Sequence, residues 1–222
     1  MEYAARIKKN WIDIKNIGIY FYIPIGVMVL NAIYCFLIRG RYGVPIEIIR
    51  ENYGVFSVIC ISFWVPYLFE DLLNSDGREM LLSMPYRNAE YGLIRVLKYT
   101  VLYIGIFYLF LALIILTMGR NVILEAQDIY LPVLSIFFYS AFNFFVVVVA
   151  RNSLVVMIAT GALSVFIYLT RGGASFYIYP LQWSNPNPFF MPYAVGIVLF
   201  ICSLILYAIG QILFSNRDFL MR

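Results

Sequence analysis

The chain has 222 residues, 63% of them apolar and 13% charged, with a formal net charge of +4. Soluble domains carry about 45–50% apolar and about 25% charged residues, so this composition cannot clothe a water-facing surface; it belongs to an integral membrane protein. The basic residues flank apolar runs and form no separate stripe, so membrane lipid is an expected partner and nucleic acid is not.

Residues 1–16, MEYAARIKKNWIDIKN, precede the first apolar run. Tyr3, Ile7, Trp11 and Ile14 recur at helical spacing, with Arg6, Lys8, Lys9, Asp13 and Lys15 around them. That pattern predicts an amphipathic helix lying flat at a membrane interface. The first span follows over 17–38, with Pro24 a candidate kink and Asn31 expected to face another helix. Residues 39–53 read as a short hydrophilic loop. The second span covers 54–73, contains Pro66 and ends at Glu70 and Asp71. The third covers 94–118 and opens with Arg95 and Lys98.

A loop over 119–130 leads to a fourth span, 131–150, which carries Ser140 and Asn143. A tight turn at Arg151 and Asn152 returns the chain into a fifth span, 153–170. Its Thr160, Gly161, Ala162 and Ser164 form a small-residue patch suited to close helix contact. Residues 171–191 are aromatic, proline-rich and nearly uncharged, which predicts a segment resting in the headgroup zone or dipping into the outer leaflet. The sixth span is 192–214. The expected fold is therefore all-α: one transmembrane domain over 1–222, with six spans.

Cys35, Cys60 and Cys202 lie in apolar runs, and there is no histidine. Neither a disulfide framework nor a zinc site of the usual ligand type is expected, and no metal is assigned to the chain. Six spans put both termini on one side. That side holds Arg6, Lys8, Lys9, Lys15, Arg78, Arg87, Arg95, Lys98, Arg151, Arg217 and Arg222. The other side holds Arg39, Arg41, Arg50, Arg120 and Arg171. Eleven against five places the termini in the cytoplasm.

The long polar segment between two spans, Glu70 to Lys98, falls on that same side. Asp76 with Glu79 reads as a helix start of capping-box type. Gly77, Arg78, Glu79, Met80, Leu81, Leu82, Ser83 and Met84 complete about two turns. Pro85 ends them, and Asn88 caps the next helix. Met80, Leu81, Leu82 and Met84 need shelter, either on the bilayer or in a groove on a partner.

This segment resembles the signature of type-2 ATP-binding-cassette exporter permeases. The matching positions are Glu70, Gly77, Glu79, Leu81, Leu82, Ser83, Met84, Pro85, Arg87 and Lys98. The interfacial helix, the six spans, the aromatic segment before the last span and the terminal Arg217-Asp218 are also similar to that family. The resemblance implies a coupling helix docking into a separate ATPase subunit, present in two copies. It also implies a second permease chain, identical or related, with the first and fifth spans facing each other across the dimer, in a bacterial cell membrane. ATP and Mg would sit on the ATPase. No lysine here follows a glycine as a Walker A loop requires, so no catalytic residue is expected on this chain.

Glu70, Asp71, Arg95 and Lys98 would form a charged belt at the cytoplasmic end; plain interfacial anchoring is the alternative. Asn31, Ser140, Asn143 and Thr160 are candidate path-lining groups, or else interhelical hydrogen-bonding groups. The expected cargo is amphipathic or lipophilic, foremost a peptide of antimicrobial or cytolytic type, with drugs or lipids as alternatives. From a different class, Glu70, Asp71, Asp76 and Glu79 could hold Mg²⁺ in an intramembrane lipid-modifying enzyme. An accessory membrane scaffold is the third reading.

Overall fold

A computed structural model describes residues 13–15, 17–38, 46–73, 88–118, 124–170, 180–184 and 191–216. Every regular element among them is helical. Five helices are long and apolar enough to cross a membrane, which makes this a multi-pass membrane protein. They run over Gly18–Ile38, Ile46–Phe69, Ala89–Thr117, Ala126–Ala150 and Pro192–Ser215. A further apolar helix, Ser153–Thr170, lies between the last two.

Helix α1 (Tyr22–Ile38) is entered through a 3-10 turn, Gly18–Phe21. Gly18 has φ +60°, a conformation that glycine reaches without the clash a Cβ would make. Pro24 falls in the first turn of α1, just after the 3-10 turn, and has no N–H to offer the carbonyl of Tyr20 four residues back.

The second membrane helix, α2, begins earlier than its hydropathy suggests. Residues 46–53, expected as loop, are helical: Ile46–Ile48 leads into a π-helical stretch, Ile49–Val55. A short α segment, Phe56–Ile59, and a 3-10 turn, Cys60–Phe63, follow; Val65–Leu73 completes α2. Pro66 explains the break before it. Its ring crowds the carbonyl four residues back and cannot donate to it, so the preceding turn tightens. Trp64 sits at this break, fully buried. It donates from Nε1 to the Phe21 carbonyl at 3.0 Å and stacks on the Phe21 ring at 4.7 Å.

Helices α3 (Leu93–Met118), α4 (Ala126–Ala150), α5 (Ser153–Thr170) and α6 (Pro192–Ser215) complete the bundle. The α4 helix also starts inside an expected loop, because Glu125 and Asp128 form a capping box at its first turn. It is the central helix, packed against α2, α3, α5 and α6. The α4–α6 seam is close because small residues recur every seven positions on α6: Gly196, Ser203 and Gly210, all buried. A Cβ on Gly210 would stand 2.9 Å from Phe144 Cδ1.

Between α4 and α5 the expected tight turn is present. Arg151 takes the left-handed conformation, φ 54°, and donates its N–H to the Val147 carbonyl at 2.8 Å. Asn152 Oδ1 accepts from the Leu154 N–H at 2.8 Å. The small-residue patch of α5 divides: Thr160 and Ser164 are buried toward α4, while Gly161 and Ala162 are exposed.

The described part of the aromatic segment, 180–184, does not rest on the surface. Leu181, Trp183 and Ser184 are buried. Trp183 lies against Gly54 of α2 and donates from Nε1 to the Pro180 carbonyl at 3.0 Å and to Ser135 Oγ at 3.1 Å. Gly54 has no side chain, and that absence gives the indole its place.

Candidate functional site

The interhelical polar contacts fall into three groups along the bundle, and an open groove lies beside one of them. At the start of α2, Arg50 grips Asp128 of α4 with two parallel bonds, Nε to Oδ1 at 2.7 Å and Nη2 to Oδ2 at 2.8 Å. The Asp128 side chain is 5% exposed, and Glu125 stands 4.0 Å from Arg50 Nη2. The same carboxylate accepts the Glu125 N–H at 3.0 Å. One side chain thus caps α4 and ties it to the π-helical part of α2. Tyr53, one turn on, donates to the Phe107 carbonyl of α3 at 2.6 Å.

In the middle of the bundle, hydroxyls and an amide join α4 to its neighbours. Thr100 and Ser140 share a 2.5 Å hydrogen bond between α3 and α4. Thr160 donates to Asn143 Oδ1 at 2.5 Å between α5 and α4, and Tyr139 pairs with Ser164 at 3.1 Å. Three of the four candidate path-lining residues, Ser140, Asn143 and Thr160, are therefore buried in helix–helix contacts. Asn31, the fourth, is half-buried on α1.

At the opposite end of the bundle, Arg95 of α3 donates from Nη2 to Asp13 Oδ1 at 2.9 Å, and Lys98 Nζ lies 3.9 Å from Asp13 Oδ2. Asp13 and Arg95 are both buried, and Arg95 also lies 5.9 Å over the Phe69 ring of α2. The first turn of α3 is completed from α6, where Gln211 Oε1 accepts the Leu93 N–H at 2.8 Å. Two members of the expected charged belt, Arg95 and Lys98, thus meet at one carboxylate. The side chains of Glu70 and Asp71 lie outside the described residues. So do Asp76, Gly77, Arg78, Glu79, Met80, Leu81, Leu82, Ser83, Met84, Pro85 and Arg87, the whole expected coupling helix.

The groove lies where α2 and α5 separate. The α5 helix packs against residues 60–73 of α2, and Tyr67 OH reaches Met157 Sδ at 3.8 Å. Beyond Ile59 the two helices leave a space of about 410 Å³, lined also by Leu181 and Ser184 of the 181–184 turn. Phe56 and Ile59 of α2 and Val165 and Leu169 of α5 line it with hydrocarbon; Glu51, Asn52 and Ser184 add polar atoms.

Sequence reasoning placed Asp13 on the polar face of an interfacial helix and assigned Arg50 and Asp128 to loops. Signals for them existed. A lone Arg within a turn of an apolar run, and a lone Asp three residues after a Glu, are both unusual at the end of a membrane helix. Comparison with family models, curated proteins and solved structures finds no match for this chain.

Proposed function

We propose that the chain is the membrane-spanning subunit of an ATP-binding-cassette exporter. It has six spans and cytoplasmic termini, and moves an amphipathic peptide of antimicrobial or cytolytic type. One observation carries the reading: the polar segment that resembles the coupling signature connects α2 directly to α3. The α2 helix walls an open groove of about 410 Å³, and it is broken in its middle.

The mechanical route follows from that connection. A partner ATPase, binding ATP and Mg, pushes on residues 76–84. The push enters α2 at Leu73 and α3 at Leu93. Trp64 and the 3-10 turn at Cys60–Phe63 divide α2 into two rods, so the inner rod, which receives the push, can shift against the outer one. Arg95 and Asp13 tie the N-terminal segment to the moving end of α3. Arg50 and Asp128 latch the outer rod to α4.

The most exposed helices also fit the reading. On α1, Leu30 and Leu37 are 66% and 75% exposed; on α5, Ile158 and Leu169 are 72% and 75% exposed. These apolar faces suit lipid and a second permease chain, identical or related.

The docking test changes Leu81→Asp and Met84→Asp together. The variant should insert into the membrane as the wild type does, yet recover no ATPase when purified from detergent. Equal recovery of the ATPase with both proteins would defeat the coupling-helix assignment.

A further inference from the structure

The outer end of α2 is built in an uncommon way. Ile49–Val55 is π-helical, with hydrogen bonds that span five residues where those of an α-helix span four. Contacts from other segments hold it so. Arg50 is gripped by Asp128 of α4, Tyr53 donates to the Phe107 carbonyl of α3, and Gly54 lies under the Trp183 ring. One contact is internal: Asn52 donates from Nδ2 to the Ile48 carbonyl at 3.3 Å. In an α-helix that carbonyl would accept the backbone N–H of Asn52. The side chain thus stands where the α form would put the main chain.

A costly backbone form persists where its surroundings over-determine it, and such places collect at switch regions. This one stands between the ion pair and the groove. Asn52, in the middle of the stretch, lines the groove together with Leu181 and Ser184. Trp183, from the same 181–184 turn, closes a cavity of about 20 Å³ that Ile49, Arg50, Tyr53 and Asp128 also line. The seat of Trp183 is therefore made by the π-helical stretch and by the ion pair that anchors it.

We propose that the π-helical stretch is a conformational switch, held by the Arg50–Asp128 pair and by the Asn52 amide, which relaxes to α-helix when either is lost. Tightening the turn by one residue carries residues 46–50 around the helix axis by about 100° and along it by about 1.5 Å. The surface under Trp183 is then exchanged, the 181–184 turn loses its seat, and the groove loses that wall. Helix register shifts of this kind take microseconds to milliseconds. The use of the switch in transport rests on the proposed exporter; the switch itself lies within this chain and needs no ATPase.

The test uses the full chain in nanodiscs of phosphatidylcholine, with fluorotryptophan at its three tryptophans, followed by fluorine NMR. Trp183→Phe assigns the Trp183 resonance. Arg50→Gln and Asn52→Ala should each move most of its intensity to one and the same new position. The Trp64 resonance, beyond the stretch, should stay in place. Deleting Asn52 removes the extra residue and fixes the α form without turning residues 46–50. In that background Arg50→Gln should leave the Trp183 resonance where the deletion puts it. The proposal is overturned by an unmoved Trp183 in either single variant, by two different new positions, or by an equal shift from Arg50→Gln with and without the deletion. Loss of the Trp64 resonance together with that of Trp183 would overturn it too, since Arg50 would then hold the whole helix. Because no ATPase is present, failure here leaves the coupling-helix assignment untouched, and loss of ATPase docking leaves the switch untouched.

Discussion

Replacing Arg50 with methionine removes the cation of the buried pair and leaves Asp128 and Glu125 facing each other without it. Taking one partner from a buried ion pair costs about 3–5 kcal/mol. The Arg50 side chain keeps 13% exposure, so the lower figure, about 3 kcal/mol, applies. For a chain of roughly 150–250 residues each kcal/mol moves the melting midpoint by about 2–4 °C, so Arg50→Met should lower it by about 6–12 °C. Asp128→Asn keeps an oxygen for the Glu125 N–H but strands the guanidinium, and should fall comparably. The double variant should cost less than the two singles summed, by about 0.5–3 kcal/mol, because the lost interaction is shared. Thermal unfolding in detergent, followed by far-ultraviolet circular dichroism, measures all four proteins. Strictly additive losses, or a single variant that melts with the wild type, would refute the latch.

Gly54→Ala should cost about 1–3 kcal/mol, since its Cβ would stand 2.3 Å from Trp183 Cη2 and the indole must move. In a background with Trp11 and Trp64 replaced by phenylalanine, the Trp183 emission should shift to the red. Gly210→Val should destabilise by a similar amount by forcing α6 off Phe144, whereas Gly105→Val, with nothing within 4 Å, should melt close to the wild type. Arg95→Met leaves buried Asp13 with Lys98 alone at 3.9 Å; losing a charged hydrogen bond of about 1.5–3 kcal/mol should speed tryptic cleavage after Lys15 by about tenfold or more.

The membrane class and the positions of the apolar runs were legible because they depend on composition summed over about twenty residues. Helix ends were less legible. Glu47, Arg50, Glu51 and Asp128 lower local hydropathy, so α2 and α4 read as starting later than they do. Arg50 and Asp128 belong inside because each neutralises the other, and a contact 78 residues apart in sequence leaves no local mark. Pro66 was placed inside the second span without a break being expected there, and nothing nearby foretold the π-helical stretch. Trp183 read as a headgroup aromatic because its burial depends on Gly54, far away in sequence. The seven-residue recurrence of Gly196, Ser203 and Gly210, which the sequence reading passed over, marks the α4–α6 seam. The hydroxyls of Ser140 and Thr160 were visible too, though their burial, Ser140 against Thr100 of α3 and Thr160 against Asn143 of α4, is a property of the folded bundle alone.

The central claim is that this chain is driven by nucleotide hydrolysis on another polypeptide. The most direct measurement is affinity purification of the intact assembly from its native membrane, with the co-purifying proteins identified and ATP hydrolysis assayed in lipid. The account predicts a soluble ATP-binding-cassette ATPase held in the complex, with activity that rises when this chain is present. A chain that purifies alone, or with partners that bind no nucleotide, would contradict it.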